Sequence, residues 1–143
     1  MITVAQVLRS KGDSIVHTVT PTTSVFEAIA EMAEKNIGAL LVMEAGMIVG
    51  IVTERDYARK IVLQGKLSKE TKVRDIMSWP VMYVEPQQSN EECMALMTEK
   101  RLRHLPVLDQ GELVGLISSG DLVKEIISEQ SFIIDQLVHY IAG

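Results

Sequence analysis

A chain of 143 residues is one domain of ordinary size, able to bury most of its unfolded surface around a single core without a disulfide or metal staple. Hydrophobic residues make up 47% and charged residues 23%, which excludes disorder, and with only 4% aromatic residues the core must be aliphatic. The net charge of -5 opposes attraction to polyphosphate backbones, so nucleic acid is excluded as a leading partner, and no apolar run approaches the roughly 18 residues of a membrane span.

In chain order, Val4–Leu8 is a short lead-in element, and Met1–Arg9 has no basic region followed by a long apolar run. Val19-Thr-Pro21 ends an extended segment, because a proline biases its predecessor away from the helical region. Ser24-x-x-Glu27 has the form of a capping box, in which hydroxyl and carboxylate each meet a free backbone N–H. The helix it opens carries an apolar stripe of Val25, Ala28, Ile29, Met32 and Ala33. Ala39–Met43 then reads as a strand, Glu44-Ala-Gly46 as a three-residue turn, and Met47–Val52 as a second strand whose nearly continuous apolar character predicts burial on both faces. A closing helix begins near Asp56, with Tyr57, Ala58, Ile61 and Val62 on its apolar side.

After a polar linker the same signals return. Residues 18–62 align with residues 83–127 without a gap, and fifteen of these 45 positions are identical. Val73–Met77 repeats the lead-in, and Val84-Glu-Pro86 repeats the extended segment. Ser89-x-x-Glu92 repeats the cap, and Cys93, Met94, Leu96 and Met97 form the second stripe. Leu105–Leu108 and Glu112–Ile117 are the strands, and Asp121 marks the closing helix. Ile133, Ile134, Leu137, Val138 and Ile141 define one more amphipathic helix outside the duplication. The expected divisions are a first repeat over 1–64, a linker over 65–72, a second repeat over 73–130 and a C-terminal helix over 131–143. The fold class is α/β: two β-α-β-β-α units that bury their sheet faces against each other about a pseudo-twofold axis, plus the C-terminal helix. The single cysteine, Cys93, forms no internal disulfide, so a reducing, cytoplasmic location is expected.

Four strings in this order and spacing resemble the tandem repeats of the cystathionine-β-synthase (CBS) domain family over nearly the whole chain. They are Val73-Arg-Asp-Ile-Met-Ser78, Arg103-His-Leu-Pro-Val107, Gly50-Ile-Val-Thr-Glu-Arg-Asp56 and Gly115-Leu-Ile-Ser-Ser-Gly-Asp121. The resemblance implies a stand-alone regulatory pair with a cleft between its repeats for an adenine nucleotide. AMP is the foremost candidate, with ADP, ATP, NAD(H) or S-adenosylmethionine derivatives as others. It also implies a homodimer formed by helix packing, and a regulated protein that the sequence does not identify.

The residue chemistry agrees. In Thr53-x-x-Asp56 the hydroxyl and the first helical N–H groups are suited to a phosphate, and the acceptor-only carboxylate is suited to a ribose diol. Ser118 and Asp121 repeat the arrangement. Arg55 adds a charge-assisted donor where the second repeat has Gly120. Arg103 and His104 match the family's phosphate-facing positions, where the first repeat has Gly38 and Ala39. The site on Asp56, completed by Arg103 and His104, is therefore expected to be the tighter one. Val16 and Val81 occupy the family's adenine-contacting segments, with core packing as the plainer account. The plainer account of both Asp motifs is a further pair of capping boxes, against which stands the short reach of Asp. No Ser-His-Asp or Cys-His constellation, Walker glycine loop or metal-ligand cluster is present in the sequence, so an enzyme is not expected. A competing reading is an adaptor that binds a protein partner without any nucleotide.

Overall fold

In chain order the elements are α1 (Val4–Lys11), β1 (Thr18–Val19), α2 (Val25–Lys35), β2 (Ala39–Glu44), β3 (Met47–Thr53), α3 (Glu54–Tyr57), α4 (Asn90–Lys100), β4 (His104–Asp109), β5 (Glu112–Ser118) and α5 (Ser119–Ala142). The computed structural model describes residues 1–12 and 15–142, with side chains described as far as residue 140. The chain divides into two units, Val16–Met82, and Met1–Ile15 with Tyr83–Gly143.

In the first of these units β1 runs parallel to β2, which pairs antiparallel with β3. Its core is aliphatic, as the composition requires, with Val25, Ala28, Met32, Leu40, Val42, Val52 and Ile61 all buried. In the other unit β4 pairs antiparallel with β5, and Cys93, Met97, Leu105, Val107, Ile117 and Leu122 form the corresponding core. Its leading strand is reduced to one parallel bridge, Val84 to Val107.

The lead-in elements are exchanged between the repeats. Val73 and Ile76, which precede the second repeat, are buried in the core of the first, and Val4 and Val7 of α1 are buried in the core of the second. The backbone bonds repeat as well. The Val73 N–H donates to Thr23 O (2.8 Å) and the Arg74 N–H to Pro21 O (3.0 Å), while the Val4 N–H donates to Gln88 O and the Ala5 N–H to Pro86 O, both at 2.9 Å. A 3-10 turn, Val73–Asp75, replaces the helix that α1 supplies in the other unit.

Several elements differ from the sequence expectation. Glu44 pairs with Met47 and Asp109 with Glu112, so each hairpin turn has two residues rather than three. Ala45, Gly46, Gln110 and Gly111 all have positive φ, the backbone of a turn that matches strand twist. In β3 only Gly50 and Val52 are buried and Ile48, Val49 and Ile51 are half-buried, so the strand is not enclosed on both faces. Ala33, Met94, Ala58 and Val62 are exposed, which narrows each stripe to the residues nearest the sheet. After α3 the backbone widens into a π turn over Ala58–Val62, bringing Ile61 inward. The closing helix of the second repeat and the C-terminal helix are one helix, α5, because no glycine or proline interrupts the chain between Gly120 and Gly143. The side chain of Ile141 lies outside the described residues.

Candidate functional site

The strand-to-helix junction after β3 is built around one carboxylate. Thr53 leaves the strand in extended geometry and caps α3. The Thr53 N–H (3.0 Å) and the Thr53 hydroxyl (3.1 Å) both donate to Asp56 Oδ2, and the Asp56 N–H returns a bond to Thr53 Oγ1 at 3.1 Å. On the other carboxylate oxygen, Oδ1, the Lys60 ammonium sits at 3.1 Å and Ser78 Oγ makes a long contact at 3.5 Å. Lys60 is held in turn by a 2.8 Å bond to Ile76 O. Asp56 is thus a buried ionic group, 9% exposed, whose partners lie within its own unit.

The same junction recurs after β5. The Ser118 N–H donates to Asp121 Oδ2 at 2.8 Å, and the Asp121 N–H donates to Ser118 Oγ at 3.1 Å. Again an ammonium meets the carboxylate: Lys11 Nζ lies 3.0 Å from Asp121 Oδ2 and donates to Leu116 O at 2.7 Å. Burial alone would raise the Asp121 carboxyl, but the Ser118 N–H, the Lys11 ammonium and the Ser118 hydroxyl outweigh it and hold the group below its ordinary range. His104 stands opposite Ser118 across the β4–β5 pair. Burial lowers its imidazole, Asp121 opposes that shift, and the Lys11 and Arg103 cations add to it, leaving the ring below its usual value.

Both Asp motifs are therefore complete capping boxes, a correction to the expectation that Asp reaches back poorly. The boxes with Glu at the third position are only half formed. Ser24 accepts from the Glu27 N–H, and Ser89 from the Glu92 N–H, each at 3.1 Å, but the Glu92 carboxylate instead accepts from the Gln88 amide. A shorter side chain has fewer rotamers to lose on closing the ring, whereas an exposed Glu keeps both its freedom and its solvation. The capping role also commits groups that the phosphate reading requires. The Thr53 hydroxyl is spent on Asp56, and the Glu54 and Ser119 N–H groups donate to Gly38 O (3.1 Å) and Arg103 O (2.9 Å).

Thr53, Arg55, Asp56, Val16 and Val81 belong to one unit, with Arg55 exposed and both valines half-buried. Arg103, His104, Ser118 and Asp121 belong to the other, with Arg103 exposed and His104 half-buried. Two lysines outside the expected site residues stand beside the two carboxylates, Lys60 on Asp56 and Lys11 on Asp121. Lys60 carried a usable signal, since it follows Asp56 by four residues on a helical pattern. Lys11 carried none, because it reaches Asp121 from a different element far away in sequence. Cys93 is on the buried face of α4, where burial and the Glu92 carboxylate push its thiol up to about 11, far from the range in which a thiolate nucleophile forms at neutral pH. Among the described residues no group of three or more His, Cys, Asp and Glu could hold a metal ion, and no helix is long and apolar enough to cross a membrane.

Comparison with known proteins gives a consistent picture. A solved structure of a CBS-domain protein from Burkholderia ambifaria MC40-6, described as a signal-transduction protein, superposes with a TM-score of 0.87 at 60% identity, over 90% of this chain and 96% of that one. The mitochondrial CBS domain-containing protein CBSX3 of Arabidopsis thaliana is 38% identical over 99% of this chain and 72% of its own length. The CBS domain-containing protein YhcV of Bacillus subtilis (strain 168) is 36% identical over 81% of this chain and 82% of its own. The CBS domain family model matches twice, over residues 12–63 and 73–128, and the chain therefore belongs to the CBS-domain family as a tandem pair, a regulatory module in general.

Proposed function

We propose that this CBS pair binds an adenosine-containing nucleotide, AMP foremost, and regulates a protein partner without catalysing a reaction itself. The observation that carries the reading is the repeated junction carboxylate. Asp56 and Asp121 are each oriented by a cap, and each faces a lysine ammonium. An acceptor-only carboxylate pre-positioned in this way suits the two hydroxyl protons of a ribose, and the neighbouring ammonium suits the phosphate that follows. Binding at Asp56 then requires Lys60 to yield its place on Oδ1, so that the cation turns from the carboxylate to the phosphate. Exposed Arg55 adds a donor in the unit of Asp56, and exposed Arg103 and half-buried His104 add donors in the unit of Asp121. The base would lie against apolar side chains such as Val16 and Val81.

A homodimer acting in the cytoplasm is part of the same reading, supported by the single unpaired thiol of Cys93 and by the apolar face of α5. Thermal melting against AMP, ADP, ATP, NADH and GTP tests the nucleotide. A ligand at a hundredfold its dissociation constant adds about 2.7 kcal/mol, so adenine nucleotides should raise the transition clearly and GTP should raise it less. No shift with any adenine nucleotide at millimolar concentration would favour the nucleotide-free adaptor.

A further inference from the structure

In α5, every described residue from Ile127 to Tyr140 is exposed, although the helix backbone continues unbroken to Ala142. The first two turns are anchored in their own unit, with Leu122 fully buried and Ile126 packed against the core. Beyond them the apolar residues do not thin out. Ile127 is 56% exposed, Ile134 59% and Leu137 57%.

These residues fall on a seven-residue repeat. Val123, Gln130 and Leu137 form one series and Ile127 and Ile134 the other, separated alternately by four and three residues. That is the spacing of a coiled-coil seam with β-branched Ile at one core position and Val, Gln and Leu at the other. Ile126, Ile133 and Val138 flank the seam, and from Ile126 to Tyr140 the only Asp, Glu, Lys and Arg side chains, Glu129 and Asp135, lie off it. A strip from Val123 to Tyr140 is about 26 Å long. At a helix width of about 10 Å it presents apolar surface on the order of a few hundred Å², the size at which an uncovered patch on a soluble protein marks an interface.

We propose that the C-terminal half of α5 pairs with α5 of a second copy as a parallel, in-register, two-stranded coil from Val123 onward. Ile127 and Ile134 at one core position, with Leu137 at the other, match the residue choice of two-stranded coils. The occupant and its direction follow from Gln130, the one polar residue in the seam. In a parallel in-register pair it faces Gln130 of the partner subunit, and the two amides satisfy each other. In an antiparallel pair it would face apolar side chains and lose its hydrogen bonds on burial. The seam deepens the homodimer reading and rests on it, while nucleotide binding plays no part in it.

The full chain at micromolar concentration should sediment at twice its 15.9 kDa mass. Ile134→Asp and Leu137→Asp should each weaken the dimer at least tenfold while leaving the monomer's melting transition in place, since both side chains are exposed there. Gln130→Cys, incubated with oxidised glutathione, should give a disulfide-linked dimer, whereas Ser128→Cys, off the seam, should not. A monomer at tens of micromolar overturns the homodimer and the seam together. A dimer that tolerates both Asp substitutions, or that gives no link at position 130, overturns the seam and leaves the homodimer standing.

Discussion

The side chain of Met77 lies where a β-carbon on Gly50 would stand, with its sulfur 2.5 Å and its Cγ 2.9 Å from that point. Leu8 makes the matching approach to Gly115, with Cδ2 at 2.5 Å. Both glycines have ordinary backbone angles, so they are required by the close approach of the exchanged lead-in element rather than by φ. Replacing a strand glycine by alanine would otherwise gain about 0.4–1 kcal/mol by restricting the unfolded chain. Gly50→Ala should instead destabilise by about 1–3 kcal/mol through overpacking. Combined with Met77→Ala, it should show a favourable coupling of about 0.5–3 kcal/mol in a denaturant double-mutant cycle. A stabilised Gly50→Ala would refute the steric account.

Asn90 occupies the place that Val25 holds in the first repeat, a fully buried position at the start of a core helix. Its Nδ2 donates to Leu122 O at 3.2 Å, but its Oδ1 is buried without a hydrogen-bond partner among the described residues. An orphaned buried acceptor costs about 1–3 kcal/mol, whereas a neutral hydrogen bond returns about 1 kcal/mol. Asn90→Val, which restores the side chain of the other repeat, should therefore stabilise by about 1 kcal/mol and raise the melting temperature by about 3 °C. A lower transition would show that the bond to Leu122 outweighs the orphan.

These two positions also show how far the sequence could be read. Gly50 and Gly115 stood out through the duplication, but their reason lies in Met77 and Leu8, which reach each glycine from the other repeat's leading segment. A periodic pattern reports which face of an element is apolar and not which neighbour covers it. The presence of the two hairpins, though not their two-residue turns, the serine half of the caps at Ser24 and Ser89, and the positions of both Asp junctions are legible because each depends on residues a few positions apart. Lys11 is not, since its partners Leu116 and Asp121 are brought to it by tertiary packing alone. Side-chain length alone understates the reach of Asp in these boxes, because the extended backbone of Thr53 brings the cap N–H within range of a short carboxylate.

The two junction carboxylates should respond unequally to removal. Asp56 is the more buried, and its turn carries Arg55 where the second repeat has Gly120. Losing a hydrogen-bonded charged acceptor costs about 1.5–3 kcal/mol, a tenfold to hundredfold weakening. Asp56→Ala should weaken AMP binding by that factor in titration calorimetry, and Asp121→Ala should weaken it less. Equal losses, or a larger one at Asp121, would reverse the ranking of the sites.

Acid stability should be set in the unit that holds Lys11, His104 and Asp121, in two separate steps. His104 titrates below its ordinary 6.5 in the fold, so its contribution is present above that pH and is lost as the pH falls through 6.5 toward the folded value. Asp121 titrates below 3.8, so its contribution is complete above that pH and is lost as the pH falls through the folded value beneath it. Melting temperatures followed from pH 7.5 to 2.5 should therefore decline first below about 6.5 and again below about 3.8. His104→Gln should flatten the first decline alone, whereas Asp121→Asn should flatten the second and, because its carboxylate opposes the lowering of His104, deepen the first. Lys11→Met discriminates further, because the ammonium lowers both groups. Its removal should weaken both declines together, and an effect on only one of them would mean that Lys11 does not couple His104 to Asp121.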